Sequence, residues 1–146
     1  MNRDFEKVSY NNSGIIPTRA DIGSAGYDFY TPIDLEIKPH ESIKFETNIK
    51  AKMNKDEVLL LYVRSSIGIK KNLMLSNGTG VIDSTYYNNS DNEGNIIGSI
   101  YNYGDDIQYI KAGDRVMQGV FVKYLITDSD SPLSTTRTGG IGSSGC

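Results

Sequence analysis

The sequence predicts an all-β domain, and three observations carry that prediction. Apolar residues recur with a period of two or in short β-branched runs, as at Leu35 and Ile37, Ile43 and Phe45, and Val58 to Val63. A sustained 3.6-residue period is hard to find. Turn formers, among them Pro39 and the Asn77-Gly78 pair, punctuate the apolar runs. Many short strands with one short helix imply a sandwich, a jelly roll or a small barrel.

Taken in order, Leu35 with Ile37, then Ile43, Phe45 and Ile49, read as two strands joined at the Pro39 turn, with His40 a solvated turn residue. Val58 to Val63 is a continuous apolar run, the pattern of a strand buried on both faces. Ser65 to Lys71 is the one stretch suited to a helix, with Ser65 or Ser66 as its cap. Leu73 and Leu75 lead into Asn77-Gly78, a pair that tolerates positive φ and so predicts a hairpin returning through Val81 and Ile82. Ile96 to Tyr103 and Val116 to Ile126 complete the strands. The division is a β domain over 1–128 and, over 129–146, a flexible arm rich in Ser, Thr and Gly.

Composition excludes several classes of function. The 146 residues suit one core, the net charge is -3, and no Lys/Arg block runs along the chain, so nucleic acid is not an expected partner. A triphosphate remains possible, because a few convergent basic groups, backbone N–H groups and a metal ion suffice to hold one. The single cysteine, Cys146, and single histidine, His40, rule out an internal disulfide and disfavour a multi-imidazole zinc site or a histidine relay. The first residues lack the apolar stretch of a signal peptide and no run is long enough to span a membrane, so a cytoplasmic protein without a membrane partner is expected. Strand edges and a long polar tail favour a homo-oligomer.

Five segments are polar or glycine-rich where the β pattern would otherwise continue. They are AGYDF at 25–29, RSS at 64–66, NGTGVIDSTY at 77–86, GDRVMQ at 113–118 and RTGGIGSSG at 137–145. Asp83 follows two apolar residues just past the tight turn, a setting that aims a carboxylate into a pocket where it can take a proton from water. Tyr86 lies three residues on, where a ring can pack against a sugar. Asn77, Gly80 and Ile82 frame the same turn, whose backbone groups can read a base edge. Arg64 offers a planar charged fork, and Ser65 a hydroxyl at a helix start. Asp114 and Arg115 read as a structural ion pair or turn.

In order and spacing the five segments resemble the motifs of the trimeric dUTPase family, over roughly residues 25 to 145. The resemblance implies a distorted jelly-roll or β-barrel subunit and Mg²⁺-assisted hydrolysis of dUTP to dUMP and pyrophosphate, which limits uracil entry into DNA and supplies dUMP for thymidylate synthesis. It implies Asp83 as general base, Gln118 and Arg64 as catalytic partners, and Asp28 as a metal residue acting through water. For the substrate it implies Ser65, Ser66, Asn77, Gly80, Ile82, Tyr86, Arg137, Ile141, Gly142 and Ser143, with Tyr86 excluding a 2′-hydroxyl and Arg137 on the γ-phosphate. Each site of the homotrimer would draw on three subunits, the arm coming from the third.

Ser66 stands where the family usually has glycine. The segment YNNSDNEGN at 87–95 is longer than the turn many relatives have, and its Asp91 and Glu93 do not match an EF-hand, so a solvated loop is expected. Two rivals share the fold: a dCTP deaminase, disfavoured because no Glu stands in the nucleotide turn, and a nucleotide-gated regulator, catalytic or not, with a protein partner at the loop or the arm. A third departure is Ile141, where the family usually has a phenylalanine that stacks on the base. Ile141 gives apolar cover without aromatic stacking, so Ile141→Phe is expected to raise dUTP turnover several-fold without changing base preference; an unchanged or lower rate counts against this.

Overall fold

Period-two burial is clearest over residues 97–102, where Gly98, Ile100 and Asn102 are buried and Ile97, Ser99 and Tyr101 only half-buried. That is the pattern of a strand with one face on a core. The computed structural model describes residues 2–134, 137 and 139–141. Among them run β1 (Asp4–Lys7), β2 (Thr18–Arg19), β3 (Tyr27–Tyr30), β4 (Leu35–Ile37), β5 (Ser42–Glu46), β6 (Ile49–Lys52), β7 (Glu57–Val63), β8 (Leu73–Leu75), β9 (Gly80–Asp83), β10 (Ile97–Asn102), β11 (Gln108–Ile110) and β12 (Arg115–Lys123). One helix, α1 (Ser65–Lys71), follows β7, and a 3₁₀ turn at Ser84–Tyr86 follows β9.

The largest sheet has the order β2-β3-β12-β7-β9; a second is β5-β10-β8, and β1-β6 and β4-β11 pair as ribbons. The layers form a jelly-roll-like fold and do not close into a barrel. Leu59, Leu61, Phe29 and Met117 of the large sheet meet Ile37, Phe45, Leu73 and Ile100 of the other layers in one core. Each such side chain contributes roughly 1.5–3 kcal/mol by leaving water. Phe5 presents its ring edge-on to Phe29 at 5.4 Å and to Tyr27 at 5.2 Å, fastening the N-terminal ribbon to the sheet.

Several local expectations are corrected. The Asn77-Gly78 turn is not the tip of a hairpin: β8 pairs with β10 and β9 with β7, so the turn carries the chain from one sheet to another. Only Gly78 has positive φ, 75°, and its N–H donates to Leu75 O. The run Ile43 to Ile49 is split into β5 and β6 at Asn48, whose φ is 59°. Helix α1 is capped at neither serine; its N-cap is the extended Arg64, with no side-chain capping bond. The reason is that the helix starts directly off β7, with Arg64 O accepting from the N–H groups of Ile67 and Gly68. Strand β7 is covered fully on one face, where Leu59 and Leu61 are buried, and only in part on the other, where Val58 is buried, Leu60 half-buried and Tyr62 exposed. Strands β1, β2 and β11 lack a readable apolar pattern, and β3 lies in the polar segment AGYDF. His40 does occupy an exposed turn, at φ 62°.

Residues 87–95 are solvated at Asn88, Ser90 and Asp91, but Asn89, Gly94 and Asn95 are buried in a polar network. Asn95 is fully buried, its amide donating to Asn48 Oδ1 and Tyr10 Oη, while Asn48 N–H donates back to Asn95 Oδ1. Glu93 accepts from Lys50 Nζ at 2.7 Å and from the backbone N–H and hydroxyl of Ser9. Asparagine suits this use because its side chain both donates and accepts, satisfying turn groups that would otherwise be buried unpaired.

The hydrogen bond from Lys50, with those from Ser9, holds the Glu93 carboxyl down at about 2, from an ordinary 4.5. A depressed carboxyl pKa contributes stability above the unfolded value, and that contribution is lost as pH falls through the folded one. Between pH 4.5 and about 2, the Tm of the protein should therefore fall more steeply than that of Glu93→Gln. Parallel curves from thermal unfolding over that range would remove this role.

Candidate functional site

Strand β9 forms the wall of a cleft because Gly80 lets it lie close on β7. A Cβ at Gly80 would stand 2.9 Å from Leu61 Cβ, inside any normal contact. Gly80 is thus required for packing rather than for a left-handed backbone. The cleft measures about 520 Å³ and opens between β9, the 76–79 turn and the face of the second sheet. Asn77, Gly80, Ile82, Asp83, Tyr86, Arg137 and Ile141 all line it. Residues predicted from two distant segments of the chain therefore meet in one place.

Tyr86 is buried, and its hydroxyl donates to Asn95 O at 2.6 Å while accepting from Asn92 Nδ2 at 2.9 Å. Burial raises its pKa above the ordinary phenol value, so it is neutral at physiological pH. Asp83 is half exposed, and its Oδ2 lies 3.2 Å from Arg137 NH1. The Arg137 guanidinium also lies 5.3 Å above the Tyr86 ring, a cation–π geometry, and turns back to donate to Gly139 O and Gly140 O. Arg137 and Ile141 are thus the described residues of the C-terminal segment that reach the cleft, with Ile141 at the rim and largely exposed. Gly142 and Ser143 lie outside the described residues.

The remaining predicted residues form a second cluster. Gln118 pairs in register with Tyr62 on one side and Asp28 on the other, so the three share a face of the large sheet. Gly26 makes room for the Gln118 amide, since a Cβ there would fall 2.4 Å from its Oε1. This close approach, rather than a sharp turn, is what requires glycine at that place. Asp28 is held by Arg64 Nε at 3.3 Å and by Arg115 NH1 at 3.4 Å. Arg115 therefore pairs with Asp28, whereas Asp114 accepts from the Lys111 N–H. Ser65 is exposed at the helix start, and Ser66 Oγ lies 3.4 Å from Arg64 NH1. The first N–H groups of a helix have no partner within it and face outward to solvent or an anion.

The two clusters are far apart in one chain. Asp83 pairs with Val58, six residues before Arg64 on β7, a separation of roughly 20 Å at about 3.3 Å per residue. Between them the same sheet face carries Val120, Leu60 and Val81 in register, with Val81 60% exposed. Sequence reasoning missed Lys44 and Ser99, paired partners on β5 and β10 that face the cleft; no local pattern marks them. Among the described residues, no three His, Cys, Asp or Glu side chains gather as a metal cage. Nor is any helix long and apolar enough to cross a membrane.

Comparison with known proteins gives the family. A family model described as dUTPase matches residues 12–145. The chain is 45% identical to the deoxyuridine 5′-triphosphate nucleotidohydrolase of Lactococcus lactis subsp. lactis (strain IL1403), over 98% of this chain and 97% of that one. It is 35% identical to the protein of the same name from Swinepox virus (strain Kasza), over 94% of each. The crystal structure of dUTPase from Streptococcus mutans superposes with a TM-score of 0.79 at 39% identity, covering 86% of this chain and 99% of that one. The chain belongs to the dUTPase family.

Proposed function

We propose that the protein hydrolyses dUTP to dUMP and pyrophosphate in the cleft between β9 and the 76–79 turn. The observation that carries this reading is the placement of Asp83 and Tyr86 on one wall of that cleft, beside the exposed turn backbone at Asn77. Asp83 is the sole carboxylate among the described residues lining it. Family membership supports the substrate.

In the proposed reaction, the backbone of the turn from Asn77 to Gly80, with Ile82 beside it, reads the uracil edge. Tyr86, locked by Asn92 and Asn95, presents its ring to the sugar and leaves no room for a 2′-hydroxyl. Arg137 exchanges Asp83 for the γ-phosphate, which frees the carboxylate to accept a proton from water. The water oxygen bonds to the α-phosphorus as the bridging oxygen leaves with pyrophosphate. Arg64, the Ser65 hydroxyl and Gln118 meet the growing negative charge, and Ser66 lies alongside. Mg²⁺ fits as an ion carried by the triphosphate, since it keeps most of its waters and needs no protein cage. When bound it neutralises phosphate charge, and Asp28 would meet it through water. Asp28 already faces two guanidiniums, so it also holds Arg64 in place.

This reading requires a second subunit. Asp83 and Arg64 lie too far apart in one chain to act on one triphosphate, and the Val120, Leu60 and Val81 stripe between them is an apolar surface suited to another copy. Repeated head to tail around a threefold axis, such a face brings the Asp83 end of one copy to the Arg64 end of the next. The family resemblance supports a homotrimer with shared sites, and Val81→Glu should reduce both its size in solution and its activity. A dCTP deaminase finds no glutamate among the described residues of the cleft to act through.

The test is pyrophosphate release from each dNTP with Mg²⁺. Selective release from dUTP is expected, with Asp83→Asn lowering kcat by about 10²–10⁴-fold, the range of a lost general base. Release from dCTP with ammonia would overturn the reading. Asp83→Asn that kept binding a partner protein would establish a regulatory role beside catalysis. Mixing inactive Asp83→Asn with inactive Arg64→Ala should restore activity to roughly a quarter of the sites in randomly mixed trimers; no recovery, or a fully active monomer, would refute shared sites.

A further inference from the structure

The floor of the cleft beneath the 76–79 turn is a row of hydroxyls that ends in a cation. Ser76, just past β8, donates its backbone N–H to Ser99 O, and the two side-chain oxygens lie 2.7 Å apart. Ser76 also donates its hydroxyl to Ser42 Oγ at 3.0 Å. A serine has one hydroxyl proton, so Ser99 is the donor in its bond with Ser76 and keeps only lone pairs for the cleft. Lys44, on β5, pairs in register with Ser99 and reaches the same cleft. Leu75 and Ile97 complete the lining from this sheet, with no polar side-chain group to offer. Of the described side chains that the second sheet presents to the cleft, Lys44 is thus the one with donors left over. Among the described residues its ammonium has no hydrogen-bond or ion-pair partner. Glu46, next on the same face of β5, lines the neighbouring hollow with Lys44 and not the cleft.

Register also says which end of the cleft Lys44 serves. Lys44, Ser99 and Ser76 stand side by side across β5, β10 and the end of β8, two strand spacings or about 10 Å from first to last. Ser76 is the residue before Asn77, so this is the turn end. Asp83 lies on the other sheet, at the last residue of β9. We propose that Lys44 is a specificity-determining residue, donating from the second sheet to the 4-oxo group of a uracil whose edge the turn backbone reads. The inference rests on deoxyuridine nucleotides binding in this cleft. Uracil and cytosine differ at that position, where one carries a carbonyl acceptor and the other an amino donor. An ammonium has three donors and no acceptor, so it bonds the first and opposes the second. A carbonyl oxygen has two lone pairs and accepts from the turn and from Lys44 at once. The flexible four-carbon stem lets the ammonium follow the base as it enters. Without Lys44 the serine row would offer the base acceptors, which suit an amino group; the lysine reverses that preference.

Calorimetric binding of dUMP and dCMP to the full-length protein provides the readout, because the two ligands share sugar and phosphate and differ at the base. Lys44→Met keeps the bulk of the stem and removes the donors. It should lower the dUMP/dCMP affinity ratio about tenfold, the lower end of the range for one hydrogen bond to a charged group. Lys44→Arg, which keeps charged donors, should retain most of the ratio. Lys44→Glu, which turns an acceptor toward the base, should lower it below the Lys44→Met value. With dUTP and dCTP as substrates, the ratio of kcat/KM should fall in the same order. A dUMP/dCMP ratio unchanged in both Lys44→Met and Lys44→Glu would overturn the proposal. Equal weakening of both nucleotides would do so too, since attraction to phosphate alone treats the two bases alike. A protein that showed the expected ratios but released no pyrophosphate from dUTP would sink the proposed reaction and leave the base reading intact. Selective hydrolysis of dUTP that survived Lys44→Glu undiminished would do the reverse.

Discussion

Strand β9 can line the cleft only because nothing projects from Gly80 toward Leu61. The contact distance there leaves no space for even a methyl group, and the strand goes on to carry Ile82 into the core and Asp83 to the opposite face. Were β9 lifted by a side chain, the aspartate, the turn before it and the 3₁₀ turn holding Tyr86 would shift together. Overpacking of this kind typically costs about 1–3 kcal/mol, and here its geometric effect would fall on every group the cleft presents. A glycine with no chemistry of its own thus sets the position of the chemistry.

The large sheet then distributes the functional groups by register. Because residues directly opposite in neighbouring strands share a face, Asp28, Gln118 and Tyr62 stand in one row, Val120, Leu60 and Val81 in a second, and Val122, Val58 and Asp83 in a third. A polar row, an apolar row and a row ending in a carboxylate lie on one surface. The cationic groups and the carboxylate are kept apart by the strip that a neighbouring copy would cover, so in the proposed assembly the same packing that joins subunits also completes the chemistry.

Contiguous segments were the legible part of the sequence. Asn77, Gly80, Ile82, Asp83 and Tyr86 fall within ten residues, so their neighbourhood in space follows from local chain geometry, and Arg64 with Ser65 was readable for the same reason. What depended on strand order was not. The pairing of Arg115 with Asp28 requires β3 and β12 to lie side by side, and Lys44 reaches the cleft only because β5 pairs with β10 in a particular register. The Asn77-Gly78 pair misled because its flanking strands find better partners far along the chain than in each other. The loop at 87–95 misled in part through composition: Asn89 and Asn95, which look solvated in the string, are buried where they bond to other asparagines. The all-β character held throughout, since it rested on a period rather than on which strand meets which.

Arg137 resting on Asp83 gives the cleft an internal counter-charge. A neutral nucleoside has nothing to trade for that guanidinium and would leave the pair standing, whereas a chain of phosphates competes for it directly. In the proposed reaction, phosphate number is thereby sensed through displacement as well as touch. Once pyrophosphate departs, the remaining monophosphate is a poorer rival, and the arginine returning to its resting place helps to expel it.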